Sequence, residues 1–213
     1  LMDISIVFLG VCIAVLVGYY FGFRRRKRLD NIGEAAVRKV LTQYCRISTA
    51  HLMNNITLEY GKGTTQIDHI LFTQNGILVI ETKHMKGWIF ANEKNKTWTQ
   101  VIYKWKNKFQ NPLIQNKLHI NAVNRALSFL PAENVMGITV FTGDAEFKTE
   151  IPDSVLYLSE LVSYVDQLRL GSIADNMLQY CIGKIEYDRF ELTAMTDIEH
   201  QRYLEKKFGE IDT

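Results

Sequence analysis

Proline is scarce, three in 213 residues, so no long proline-rich linker divides the chain. Cysteine is equally rare, and none of the three forms a C-x-x-C pair, which excludes a zinc ribbon and a disulfide framework. Cys45 and Cys181 are isolated among hydrophobic neighbours and read as reduced core residues, while Cys12 lies in an apolar run. There is no repeat, no low-complexity tract and no Gly-rich phosphate loop, so neither ATP hydrolysis nor a nucleotide cofactor is expected. A single stretch is long and apolar enough to span a bilayer, which excludes a polytopic transporter. With 47% hydrophobic and 23% charged residues, the chain is not disordered.

The apolar stretch runs from Ile4 to Phe23 without a charge, about 30 Å of helix if continuous. Tyr19, Tyr20, Phe21 and Phe23 crowd its end, and Arg-Arg-Arg-Lys-Arg follows at 24–28. A signal peptide carries its positive charge before the apolar segment, and here the order is reversed. The expectation is a single-pass anchor in the inner (cytoplasmic) membrane through residues 4–23, with the N-terminus outside and the remainder cytoplasmic. Gly18-x-x-x-Gly22 would let two such helices approach closely, but the pattern is common by chance. Three regions are expected: the anchor and basic run at 1–28, a folded domain at 29–145, and an acidic helical extension at 146–213.

The formal net charge of +2 conceals an asymmetry. Residues 24–28 carry +5, residues 29–81 a net −1, residues 82–130 a net +8 and residues 131–213 a net −9. The basic block suits a polyanion, and the acidic C-terminal helices are a candidate surface for a protein partner. Within the basic block, Lys86, Lys94, Lys96, Lys104, Lys106 and Lys108 are interleaved with Trp88, Trp98 and Trp105. Such interleaving suits a phosphate track with stacking positions, the nucleic-acid-binding candidate of the chain; the alternative is a solvated hairpin held by hydrophobic pins.

Helical spacing covers 31–45 through Ile32, Ala36, Val37, Val40, Leu41 and Tyr44. Strand-like runs follow at Leu52–Tyr60, Thr64–Thr73 and Gly76–Lys83, the last two joined by Gln74-Asn75-Gly76. Trp88–Phe90 and Trp98–Trp105 read as a further, edge-lying hairpin. Asn111-Pro112 caps a helix reaching about Leu130, and Val135–Thr142 is a buried strand. Ser159–Leu168, Ile173–Cys181 and Thr196–Phe208 look helical. The fold class is therefore α/β, an α-β-β-β-α-β core with a mixed sheet and extra C-terminal helices.

With Asn75 and Gly76 as the turn residues, Asp68 faces Lys83 and Ile70 faces Glu81. Alternation puts Asp68, Glu81 and Lys83 on one face, the two carboxylates at roughly 7 Å or less between Cβ atoms. Two such carboxylates can share a hard cation beside an ammonium, and an exposed Asp–Lys ion pair is the plainer alternative. Gly76-Ile-Leu-Val-Ile80 is apolar on both faces, however, as a doubly covered central strand would be. His69 falls on the opposite face from Asp68 and reads as a packed residue, whereas Gln66 falls on the same face and could support the site.

Gly33-Glu34, His51-Leu-Met-Asn-Asn55-Ile-Thr-Leu58, Gly63-Thr-Thr-Gln-Ile-Asp-His69, Ile80-Glu-Thr-Lys83, Gly87-Trp88-Ile89 and Phe109-Gln-Asn-Pro112-Leu-Ile-Gln115 occur in that order. In these six motifs the chain, from about Asn31 to Thr142, resembles the nuclease-related domain (NERD) family. The resemblance implies the PD-(D/E)XK nuclease fold. It implies that Asp68 and Glu81 bind metal, that Lys83 positions or activates the attacking water, and that Glu34 is an additional acid. Gln115 matches a glutamine on the helix after the sheet, and His119 stands where related nucleases often have tyrosine.

The expected activity is phosphodiester hydrolysis in nucleic acid, DNA before RNA. Mg²⁺ (or Mn²⁺) would be held by Asp68, Glu81 and the Thr82 carbonyl, with Lys83 offsetting charge in the transition state. The competing expectation is a catalytically silent module, tethered to the membrane, that docks nucleic acid or protein.

Overall fold

The computed structural model describes residues 32–61 and 63–190. The first helix, α1 (32–47), presents Val37 and Leu41 to a sheet and buries both completely, as the helical spacing requires. Strands β1 (His51–Tyr60), β2 (Gly63–Thr73) and β3 (Gly76–His84) follow in antiparallel succession. A hairpin of β4 (Gly87–Phe90), β5 (Thr97–Ile102) and β6 (Trp105–Gln110) intervenes before helix α2 (Pro112–Ala126). Strand β7 (Val135–Thr142) then pairs parallel to β3, and β9 (Val155–Tyr157) parallel to β7. The main sheet has the order β1-β2-β3-β7-β9, mixed as expected. A second sheet has the order β6-β5-β4-β8, with β8 at Ala145–Phe147.

Strand β3 is central, which explains its apolar character on both faces. Ile77 and Val79 join one cluster with Val123 and Leu127 near α2, and Leu78 and Ile80 join another with Val37 and Leu41 of α1. A third cluster, with Ile89, Trp98 and Phe141, cements the second sheet to the main one.

Two local features depart from the simple hairpin reading. Thr73 pairs with Gly76, so Gln74 and Asn75 form the turn, and Ile70 faces Val79 where Glu81 was expected. The glycine serves the strand: Gly76 has φ 141°, and a Cβ there would lie 2.8 Å from the Leu170 side chain. Thr73 closes the turn by donating its hydroxyl to the Gly76 carbonyl and accepting the Asn75 N–H. Second, alternation shifts phase along β2. Ile67, Ile70 and Phe72 share one cluster, a spacing that strict alternation forbids, and Asn55, across from the shift, takes φ 52°.

The predicted strand Trp98–Trp105 is two strands, with the turn at Tyr103-Lys104. The chain after Thr142 contributes β8 and β9 to the two sheets as well as helices α3 (Leu161–Gln167) and α4 (Asp175–Asp188). α4 buries Leu178, Cys181 and Ile185 in the α2-side core. Cys181 is buried and Cys45 half-buried, both free thiols. Among the described residues no helix is long and apolar enough to cross a membrane. The run at 4–23 and the helix expected at Thr196–Phe208 lie outside the described residues.

Candidate functional site

The two carboxylates meet where β2 and β3 part, near enough for the charge of Glu81 to act on Asp68. The β2–β3 ladder runs from Thr73↔Gly76 to His69↔Ile80 and ends just short of Asp68 and Glu81. The expected Asp68–Lys83 pairing is not made, because the turn lies one residue earlier than Asn75-Gly76. An Asp68 Oδ2 takes the Thr82 N–H at 2.7 Å, so this side chain occupies the place of a ladder partner.

Helix α2 supplies the other wall. Asn111 caps it, accepting the Leu113 N–H while its amide donates to the carbonyls of Asn92, Glu93 and Asn95. This ties the helix start to the β4–β5 turn. One turn on, the Asn116 amide donates to the carbonyls of Val79 and Ile138, and Gly137 leaves the room; a Cβ there would lie 2.5 Å from Ile120. Gln115 and His119 are thereby fixed over β3. Lys83 Nζ lies 2.5 Å from Glu81 Oε1 and 3.0 Å from Gln115 Oε1. His119 Nε2 lies 3.1 Å from Glu81 Oε2, and its Nδ1 lies 2.7 Å from Thr65 Oγ1. A carboxylate only accepts, so in the neutral ring Nε2 donates and Nδ1 accepts the Thr65 hydroxyl.

The first helix reaches the same place. Gly33 packs so closely on the ends of β3 and β7 that a Cβ would lie 2.8 Å from His84 Cβ and Thr142 Oγ1. Its neighbour Glu34 is then near enough for its charge to act on Asp68.

Electrostatics distinguishes the two acids. Burial, then the charges of Glu81 and Glu34, raises the Asp68 carboxyl well above the ordinary range, against the pull of Lys83 and the Thr82 N–H. Burial also works to raise Glu81, which is 2% exposed, but Lys83 and His119 outweigh it and hold that carboxyl low. The pair is therefore one firmly ionised carboxylate beside one that burial, and then like charge, holds back. Oxygen donors of this kind suit a hard divalent cation, which would relieve that repulsion. Among the described residues no three His, Cys, Asp or Glu side chains converge as metal ligands.

Of the residues expected at the site, Glu34, Asp68, Glu81, Thr82, Lys83 and Gln115 come together. Thr65 and a structural role for His119 were missed. Spacing from Gln115 already put His119 on the right helix face, but the phase shift in β2 hid Thr65. The same shift corrects Gln66: Thr65 and Ile67 face α2, so Gln66 turns away. His69 is 1% exposed and packed as expected, its Nδ1 2.7 Å from Asn54 Oδ1. Burial, and then Arg38, lowers it to about 4.

The six lysines are all exposed but do not form one track. Lys94 and Lys96 sit near the β4–β5 turn, Lys104 at the β5–β6 turn and Lys86 just before β4, while Lys106 and Lys108 share a face of β6. Trp98 is no stacking position. It is 1% exposed, packed against Phe109, Phe141 and Phe147, and donates to the Asn92 carbonyl.

Comparison with known proteins agrees with the motifs. Over 93 residues the chain is 44% identical to an uncharacterized protein from Bacillus anthracis, a match that covers 43% of this chain and 43% of that relative's own length. No solved structure matches the chain significantly. Residues 29–142 match the model of the nuclease-related domain, a span that takes in more than half of the chain and every residue of the site from Glu34 to His119. The chain belongs to the nuclease-related domain family.

Proposed function

We propose that the chain is a metal-dependent phosphodiesterase that cleaves nucleic acid, DNA before RNA. The observation that carries this reading is the neighbouring Asp68 and Glu81 carboxylates at the end of a buried strand, with Lys83 alongside. Asp68, Glu81 and the Thr82 carbonyl would hold Mg²⁺ or Mn²⁺, whose chemistry there is Lewis-acid polarisation of the phosphodiester. His119, anchored by Thr65, keeps one oxygen of Glu81 oriented. Lys83, steered by Gln115 and Glu81, offers a fixed positive charge where the transition state gathers negative charge and can orient the attacking water. Glu34 adds negative potential at Asp68. The apolar run at 4–23 and the basic run at 24–28 support a membrane tether with the nuclease-like domain on the cytoplasmic side.

One observation favours a second reading. Both Glu81 oxygens already accept hydrogen bonds, from Lys83 and His119, as they would in a silent site kept for binding. The test is incubation of the full chain with plasmid, linear duplex, single-stranded DNA and RNA, in Mg²⁺, Mn²⁺ or EDTA. Cleavage that requires the cation is expected. Binding in every condition with cleavage in none would establish the silent module.

A further inference from the structure

The outward face of the second sheet has an order that the lysine count alone does not reveal. Alternation sends Ile89, Trp98 and Phe109 inward, where Phe141 and Phe147 meet them. Trp88 and Phe90 consequently point out, 49% and 39% exposed. Cross-strand pairing sets them in two rows. One runs Lys106, Val101, Trp88, Glu146; the other runs Lys108, Thr99, Phe90. Lys148 Nζ lies 4.9 Å from the Trp88 ring centre and also pairs with Glu146, the one acid in these rows. The result is a flat pleated surface with two aromatic rings, flanked by Lys106 and Lys108 on the edge strand and Lys148 on the other side.

Its attachment matters too. Only Met85 and Lys86 separate β3, with Lys83 near its end, from β4. At the other end β6 passes through Asn111 directly into α2, which carries Gln115. The sheet is thus tethered to the Asp68–Glu81 site through both of its chain connections.

We propose that this face binds single-stranded nucleic acid, stacking bases on Trp88 and Phe90 while Lys106, Lys108 and Lys148 hold the backbone. The inference deepens the nuclease reading by naming the substrate class, and takes from it only that the substrate is nucleic acid. Exposed rings need an accessible π-face, which every unpaired base has and a duplex hides within its stack. Lysines flanking the rings supply the phosphate attraction without base recognition, so little sequence preference accompanies it.

The test is fluorescence anisotropy with the full chain in EDTA, using a labelled oligo(dT) strand and a duplex of equal length. The single strand should bind more tightly. Trp88→Ala should weaken it about tenfold or more, and Trp88→Phe should restore most of the loss. Lys106→Gln with Lys108→Gln should reduce the logarithmic salt slope by up to about 0.7 for each lost phosphate contact. Equal or tighter duplex binding, absence of binding, or an unchanged affinity in Trp88→Ala would overturn the proposal. Because EDTA separates binding from turnover, cation-dependent cleavage with an indifferent Trp88→Ala removes this surface and leaves the nuclease. Trp88-dependent binding without cleavage in any cation does the reverse.

Discussion

The end of β3 and the outward face of the second sheet are both polar and charged, yet the structure treats them in opposite ways. At the end of β3 the charged side chains are tied into one hydrogen-bonded network. Glu81 is held by Lys83 and His119, His119 by Thr65, and Lys83 by Gln115. On the second sheet the lysines are exposed, and Trp88 and Phe90 are about half exposed, with Lys148 over the Trp88 ring. The first arrangement fixes atoms to within a hydrogen bond, as bond-breaking chemistry needs. The second offers charge and stacking area without fixed geometry, as tolerant binding needs. On the proposed reading the same residue types serve different ends, and burial decides which.

Substitutions should sharpen this contrast. The largest effect belongs to the buried pair: Asp68→Asn and Glu81→Gln should each abolish cation-dependent cleavage, and Lys83→Ala should slow it by about 10²–10³-fold, measured as single-turnover rates. Their stabilities should diverge. Asp68→Asn relieves the repulsion that raises the Asp68 carboxyl and should leave the urea midpoint unchanged or higher, while Glu81→Gln weakens the Lys83 and His119 bonds and should lower it.

Next come the tryptophans, which test burial directly. Trp98→Ala should cost about 3–5 kcal/mol by denaturant unfolding, since it empties the cluster joining the two sheets. Trp105→Ala, at a position 81% exposed, should cost less than about 0.5 kcal/mol.

His69 gives a pH signature. Its folded pKa is near 4, below the ordinary 6.5, so the unfolded chain takes up its proton first. The contribution is complete above about pH 6.5 and is lost as pH falls toward 4, by about 3 kcal/mol in all. Asp68, raised, works in the opposite sense, so the quantity to measure is the pH dependence of wild type minus that of His69→Gln. A difference that stays flat from pH 7 to 4 would contradict the buried neutral ring. Thr65→Val leaves His119 Nδ1 without its donor and should cost about 1–3 kcal/mol, with a loss of cleavage rate that Thr65→Ser recovers.

Much of this was legible beforehand. The apolar run of β3 announced a doubly covered strand, Asn111-Pro112 announced the start of α2, and the motif order placed Glu34, Asp68, Glu81, Lys83 and Gln115 in one site. What escaped depends on tertiary contacts. The hairpin turn lies one residue earlier than expected and is docked on a distant segment, its Asn75 and Gln74 carbonyls accepting the Leu170 and Ile173 N–H groups, and no local pattern around Asn75 contains that information. Thr65 was hidden by the shift of alternation opposite Asn55, since a left-handed asparagine is not marked in sequence as a glycine would be. Trp98 and Trp88 look alike in a basic segment, and only the packing of Phe141 and Phe147 on one side of the sheet separates core from surface.

The most direct measurement is the cleavage rate of wild type and Asp68→Asn across a Mn²⁺ titration, with circular dichroism to establish that both are folded. The account predicts a rate that rises with the cation and saturates for wild type, and none for Asp68→Asn at any concentration. Equal rates in the two proteins, or cleavage by wild type that persists in EDTA, would contradict the assignment of Asp68 and Glu81 as the cation-holding pair.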